Sequence, residues 1–250
     1  MGLEGVITVI WAEHAERRAR LQSLVAAQKE DRGESPVPSV LSAVCVVAGQ
    51  EMNAAGAGVT MLTEAGWRGV AATSPLTEGL EELQILCGEG PCIDALRFGH
   101  PILVEDLEDS VWGDWTGYAP SAQAAGVRAV FAFPIQVGAA RLGALDVYRQ
   151  DPGPLTPRVL ADGLIFADLA LNALLDGQQS APAGQPAADL EEAFDYQIYQ
   201  AQGMVSVQLT ISLVEAMARL RAHALVNQLR LGDVADRILS GTLRLGGDSS

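Results

Sequence analysis

The stretch YQAQGMVSVQLTISLVEAMARLRAHALVNQLRLGDVADRILSGTLRL, Tyr199 to Leu245, decides how the chain divides. Three short helical patterns follow one another there, with breaks too short for anything but a compact bundle. Leu231, Val234, Ala235, Ile238 and Leu239 recur at the spacing of one helix face. Ser212 with Glu215 three residues on predicts a capping box, followed by an apolar stripe of Val214, Met217, Leu220 and Ala224. Running back from Leu209, the apolar positions Val205, Ala201, Ile198 and Phe194 predict a long first helix that begins at Asp189. Gly177 to Ala188 (GQQSAPAGQPAA) has no periodicity and reads as a linker, so everything before it is a separate module.

That module alternates helices with strands. Helices are expected over Trp11 to Lys29, with Leu21, Leu24 and Val25 inward, and over Val37 to Met52. A hairpin of short strands, Gly58 to Thr63 and Gly69 to Thr73, is expected around Glu64-Ala65-Gly66-Trp67. Pro75 to Leu86 reads as a helix, and GEGPC (Gly88 to Cys92) as a turn opening a short helix through Phe98. Pro101 to Leu107 is strand-like, and Asp109 to Gly126 is irregular or helical. Arg128 to Val137 and Arg141 to Tyr148 form a second strand pair. Thr156-Pro157 starts a helix whose stripe of Leu160, Leu164, Ala167, Leu171 and Leu174 carries it to Asp176. The fold class is therefore α+β, an antiparallel sheet flanked by helices and followed by an all-α bundle. The expected divisions are 1–35, an N-terminal helix; 36–176, the sheet domain; 177–188, the linker; and 189–250, the bundle.

With 49% hydrophobic residues the chain has enough apolar side chains for a real core. No apolar run approaches the ~18–20 residues needed to cross a bilayer, and the start lacks the basic end and cleavage site of a secretory signal. A cytoplasmic location with no membrane is expected, and three cysteines fit a reducing compartment better than a disulfide framework. The net charge of −15 argues against a generic nucleic-acid binder. It is unevenly placed: from Gln197 onward five arginines face four acidic residues, so the tail is +1 and the rest carries −16.

Two stretches of this pattern resemble known families. AAGAGVTML (Ala54 to Leu62), LQILCGEGPCIDALRFGHPILVEDL (Leu83 to Leu107), the Trp112 region and GVRAVFAFPIQV…LGALDVY (Gly126 to Tyr148) are similar to a GAF domain of the bacterial signalling type. AQGM (Ala201 to Met204), LRAHA (Leu220 to Ala224), Asn227 and LGDVADRIL (Leu231 to Leu239) resemble an ANTAR domain, the three-helix module of transcription antitermination regulators. The resemblance implies a dimer whose bundle binds paired hairpins in nascent mRNA, gated by a GAF sensor responding to an unidentified small molecule or redox signal. It implies a regulator and not an enzyme. Gln202 stands where many ANTAR domains carry lysine; glutamine can bond a base or ribose but cannot neutralise a phosphate.

The RNA-binding candidates are Gln202, Gly203, Arg221, His223 and Asn227. Gly203 inside a helix wants a reason, either close helix–helix approach or approach of RNA backbone. Arg219 and Arg237 have acidic residues four positions away, whereas Arg221 has none at three or four, which singles it out. His223 can stack on an unpaired base or sit as a surface histidine, and Asn227 can contact RNA or cap its helix. In the sheet domain Trp112, Trp115, Tyr118 and Cys92 are candidates for a small-molecule pocket; Phe131 and Phe133 either line it as well or pack in the core, which is the default reading for the two rings. Cys87 and Cys92 flank a glycine turn and are either buried structural thiols or a redox pair, which leaves open a methionine sulfoxide reductase-like enzyme. A protein-interaction module is the other alternative. No zinc-type ligand pair, phosphate loop or nucleophile motif is present, so no metal, catalytic residue or cofactor is identified.

Overall fold

The computed structural model describes residues 3–30, 36–63, 66–109, 115–180, 196–227 and 229–246. Its centre is a five-stranded antiparallel sheet in the order β2-β1-β5-β4-β3. The strands are β1 (Gly56–Thr63), β2 (Gly66–Ala72), β3 (Ile102–Val104), β4 (Ala129–Val137) and β5 (Ala140–Arg149). Side chains alternate between the faces along each strand, and the two faces differ in character.

On one face, Val59, Met61, Phe131, Phe133, Ile135, Leu145 and Val147 meet α1 (Leu3–Glu30), α2 (Pro36–Glu51) and α6 (Pro157–Ser180) in the largest core. Phe131 and Phe133 are fully buried there, as the core reading expected. Gly163 lets α6 sit directly on the Phe133 ring, because a Cβ at that position would overlap it. Arg17 of α1 pairs with Asp162 of α6 at 2.8 Å. Two expected core positions point outward instead: Leu24 is 37% exposed and Leu164 46%.

The opposite face is covered by α3 (Pro75–Cys87), α4 (Pro91–Phe98) and α5 (Tyr118–Ala124). Leu80, Ala95, Ala119, Ala122, Val130 and Ala132 form its apolar part. Ser74 caps α3 by accepting from the Thr77 backbone N–H, and Gly88, at φ 69°, ends it in the left-handed region.

Three helices follow: α7 (Tyr196–Leu209), α8 (Leu213–Val226) and α9 (Leu231–Leu239). Ala201, Val205, Ala216, Leu220, Ala224, Leu231, Val234, Ala235 and Ile238 form their shared core. Ser212 and Glu215 make the expected capping box. The bundle is docked on the sheet domain through α3. Leu86 packs against its core, and Arg230, at the N-terminus of α9, pairs with Glu78 at 2.5 Å and Glu82 at 3.6 Å.

Several boundaries differ from the sequence reading. The hairpin strands reach Gly66 and include Trp67 in β2. The strand expected over Pro101 to Leu107 is three residues long. Helix α1 begins at Leu3, and α6 continues to Ser180, four residues into the expected linker, because GQQS permits a helix even though it lacks an apolar stripe. The rest of that linker and the start of the long helix at Asp189, with Phe194, lie outside the described residues.

Candidate functional site

Beneath α3 the sheet carries a buried polar cluster in place of apolar packing. Thr77, Glu81 and Gln84 recur at four and three residues, one stripe of α3 aimed at the sheet, and all are buried. Opposite them, Asp146 and Tyr148 project from β5 and Thr60 from β1, each 2% exposed or less. Asp146 is flanked in register by Gly58 and Ala132, so its two neighbours leave the space above the sheet open. Gly58 is required by this arrangement: a Cβ there would run into the Glu81 carboxylate.

The hydrogen bonds close around Glu81 and Gln84. Thr60 Oγ1 donates to Glu81 at 2.6 Å and the Tyr148 hydroxyl donates to its other oxygen at 2.7 Å. Gln84 Nε2 donates to Asp146 at 2.8 Å and to the Tyr148 hydroxyl at 3.0 Å, while Gln84 Oε1 accepts from the Cys92 backbone N–H at 2.7 Å. That last bond explains the GEGPC turn. Gly90, at φ 126°, brings the start of α4 so close to Gln84 that a side chain would collide with it. The glutamine thereby satisfies an N–H that the helix leaves open. Glu89 of the same turn accepts from the backbone N–H groups of Gly117 and Tyr118, and so holds the start of α5.

Cys92 lies in the cluster. Its thiol, a Glu81 carboxylate oxygen and an Asp146 carboxylate oxygen are all within 4.8 Å of one another. Two polar atoms here have no hydrogen-bond partner among the described residues, the Tyr118 hydroxyl and Asp146 Oδ1, though both residues are fully buried. Burial pushes the Glu81 carboxyl up to about 7, with Thr60 and Tyr148 pulling against it through their hydrogen bonds. Asp146 is raised well above the carboxylate range by burial and then by the Glu81 charge. Burial, then Asp146 and Glu81, likewise raises the Cys92 thiol. Cys87, half-buried at the end of α3, is raised by burial and then by Glu89. Both thiols are therefore held in the protonated, weakly nucleophilic form.

Of the sequence-derived pocket residues, the structure brings together Cys92, Tyr118 and Trp115. Trp115 stacks edge-on with Tyr118 at 6.1 Å and donates from Nε1 to Asp94 at 3.1 Å. Trp112 lies outside the described residues. The sequence reading missed Thr60, Glu81, Gln84, Asp146 and Tyr148. Two signals could have found them: a polar stripe at helical spacing in α3, and an aspartate inside the apolar strand LGALDVY. A cleft of about 560 Å³ opens where the bundle meets the sheet domain, between Trp67 and Arg68 of β2, Glu81 and Glu82 of α3, and Ile198 and Arg230 of the bundle.

Asn227 is exposed, and Gln202, Gly203, Arg221 and His223 are half-buried. Gln202 donates to the Leu213 carbonyl at 2.7 Å and ties α7 to α8. Asn227 Nδ2 donates to the His223 carbonyl at 2.8 Å, so the asparagine caps α8. Gly203 faces open space, which removes close helix packing as its reason. Arg221 is half-buried; burial lowers its pKa, with Tyr199 of α7 opposing, and its Nε is shielded without a partner. Part of the Arg221 side chain remains exposed on α8. His223 is half-buried on the same helix.

A profile described as GAF domain matches residues 37–174. No curated protein matches the chain. Among solved structures, the free methionine-R-sulfoxide reductase from Neisseria meningitidis in complex with its substrate is similar at 17% identity and a TM-score of 0.50, over 68% of this chain and 93% of that one. The GAF domain of a phosphoenolpyruvate-protein phosphotransferase from Acinetobacter is similar at 11% identity and a TM-score of 0.49, over 65% and 95%. At such identities the likeness concerns the fold alone. The profile match stops short of α7 to α9.

Proposed function

The chain belongs to the GAF domain family, and we propose that its GAF domain is a sensor that controls RNA binding by the C-terminal bundle. The observation that carries this reading is the double use of α3. One stripe of the helix, Thr77, Glu81 and Gln84, faces the buried cluster. The adjacent stripe, Glu78, Glu82 and Leu86, holds the bundle through Arg230 and the apolar core. A change in the cluster that rotates or shifts α3 would alter the seat of α9, which is the coupling that such control requires.

RNA is the effector ligand in this reading because AQGM, LRAHA and LGDVADRIL, carried on the three helices, resemble the motifs of an ANTAR domain. The protein acts as a homodimer in the cytoplasm on hairpins in nascent transcripts, and Leu24 and Leu164, exposed on α1 and α6, are candidate dimer contacts. No catalysis is assigned. Protonated, buried Cys92 and half-buried Cys87 are poor nucleophiles, which works against a reductase reading.

Gel-shift titration of the full chain with a tandem-hairpin RNA tests the proposal. Saturable binding is expected, weakened by ~1–3 kcal/mol in Arg221→Ala if that arginine reads a base. No binding to any hairpin RNA by a correctly folded full chain would reject the RNA reading.

A further inference from the structure

We propose that Glu81, Cys92 and Asp146 hold a divalent transition-metal ion of the zinc class inside the sensor domain. The proposal rests on reading this cluster as the sensing site, and it assigns the chemistry of what is sensed. A thiol and two carboxylates are the donor types that zinc-class ions take; at ~2.0–2.3 Å in a tetrahedral set the ligands of one ion lie ~3.3–3.8 Å apart, so the side chains here close inward on the ion by rotamer adjustment. The three donor atoms here sit within 4.8 Å of one another, delivered by α3, α4 and β5. Because the ligands come from three separate elements, no spacing motif announces them in the sequence.

Further observations favour an ion. A thiol and two carboxyls lie side by side in the core, each 1% exposed or less. Such a set is stable only if protonated or if a cation neutralises it. Asp146 Oδ1 has no partner although Asp146 is fully buried, which leaves a lone-pair site for a metal. The Tyr118 hydroxyl also has no partner, and Asp146, Glu81 and Cys92 are the groups whose charges reach it. A water on the ion's fourth position would give that hydroxyl an acceptor. Gln84 and Thr60 supply the outer hydrogen bonds that orient Asp146 and Glu81, as metal ligands require. Glu81 also borders the cleft at the bundle junction. Uptake of the ion displaces the thiol proton and the carboxyl protons to solvent.

The test uses the reduced, chelator-stripped full chain titrated with Co²⁺ as the spectroscopic probe, followed by displacement with Zn²⁺. One Co²⁺ per chain is expected, with a near-ultraviolet thiolate-to-cobalt band that Zn²⁺ abolishes. Cys92→Ser should remove the band, Asp146→Asn should weaken binding by about tenfold or more while keeping it, and Cys87→Ser should change neither. Far-UV circular dichroism confirms that each variant is folded. Binding below one ion per chain, or a band that follows Cys87 instead of Cys92, overturns the proposal, as does a band unaffected by Cys92→Ser. Should Asp146→Asn not fold, Cys92→Ser and Cys87→Ser decide alone. RNA retention measured on the same samples is a separate readout: its failure with the cobalt band intact would sink the RNA reading and leave the metal site standing.

Discussion

Glu81→Gln removes one ionisable group from the buried cluster while preserving its shape. In the folded chain the Glu81 carboxyl is raised to about 7 from an ordinary 4.5. A raised folded-state pKa means that the folded chain binds more protons than the unfolded one between those values. Stability is therefore fully present below about pH 4.5 and lost as pH rises through about 7. At ~1.36 kcal/mol per unit, this group removes roughly 2 kcal/mol of stability between about pH 5.5 and pH 8.5. Asp146, raised for the same first reason, adds to the loss in the same direction. Glutamine can still accept one hydroxyl, from Thr60 or Tyr148, and cannot charge. Urea unfolding with chelator present should show wild type falling by about 2 kcal/mol or more over that interval and Glu81→Gln falling by clearly less, with the variant the more stable at high pH. Equal slopes in the two proteins would refute the assignment of Glu81 as a buried, proton-holding carboxyl.

Gln84→Leu should destabilise by roughly 2–4 kcal/mol, since the Cys92 N–H loses its acceptor and Asp146 and Tyr148 lose a donor; chemical denaturation measures it. Gly58→Ala, whose new Cβ would overlap the Glu81 carboxylate, should cost ~1–3 kcal/mol in the same assay. Arg230→Ala removes an exposed pair and should change global stability by less than ~1 kcal/mol, yet loosen α9 in amide exchange. Ser212→Ala breaks the capping box of α8 and should cost ~1 kcal/mol, read by thermal melting.

The architecture was legible because its signals are local. Leu231, Val234, Ala235 and Ile238 share one helix face in sequence and share the bundle core in space. The apolar run of β4 likewise placed Phe131 and Phe133 in a strand that is buried. The polar cluster was not legible in the same way. Glu81 and Asp146 are 65 positions apart and meet only after β1 and β5 pair and α3 lies across them. An acid on a helix is ordinarily solvated, and only the fold shows that this one is sealed in. Arg230 illustrates the same point from the bundle. Its neighbour Asp233 suggests a partner within the tail, but the guanidinium crosses to Glu78 and Glu82, more than 140 residues away. Arg221 was singled out because no acid stood near it in sequence, and the structure replaces that missing partner with burial against α7.

The central claim is that α3 transmits the state of the buried cluster to the bundle. Hydrogen–deuterium exchange on the full chain, comparing wild type with Asp146→Asn, tests it most directly. Asp146 lies on β5 and meets α3 through Gln84. Altered exchange in Leu231–Leu239 and the adjoining turn of α8, alongside the sheet, is the predicted result. Altered exchange confined to the sheet domain, with α7 to α9 unchanged, would contradict it.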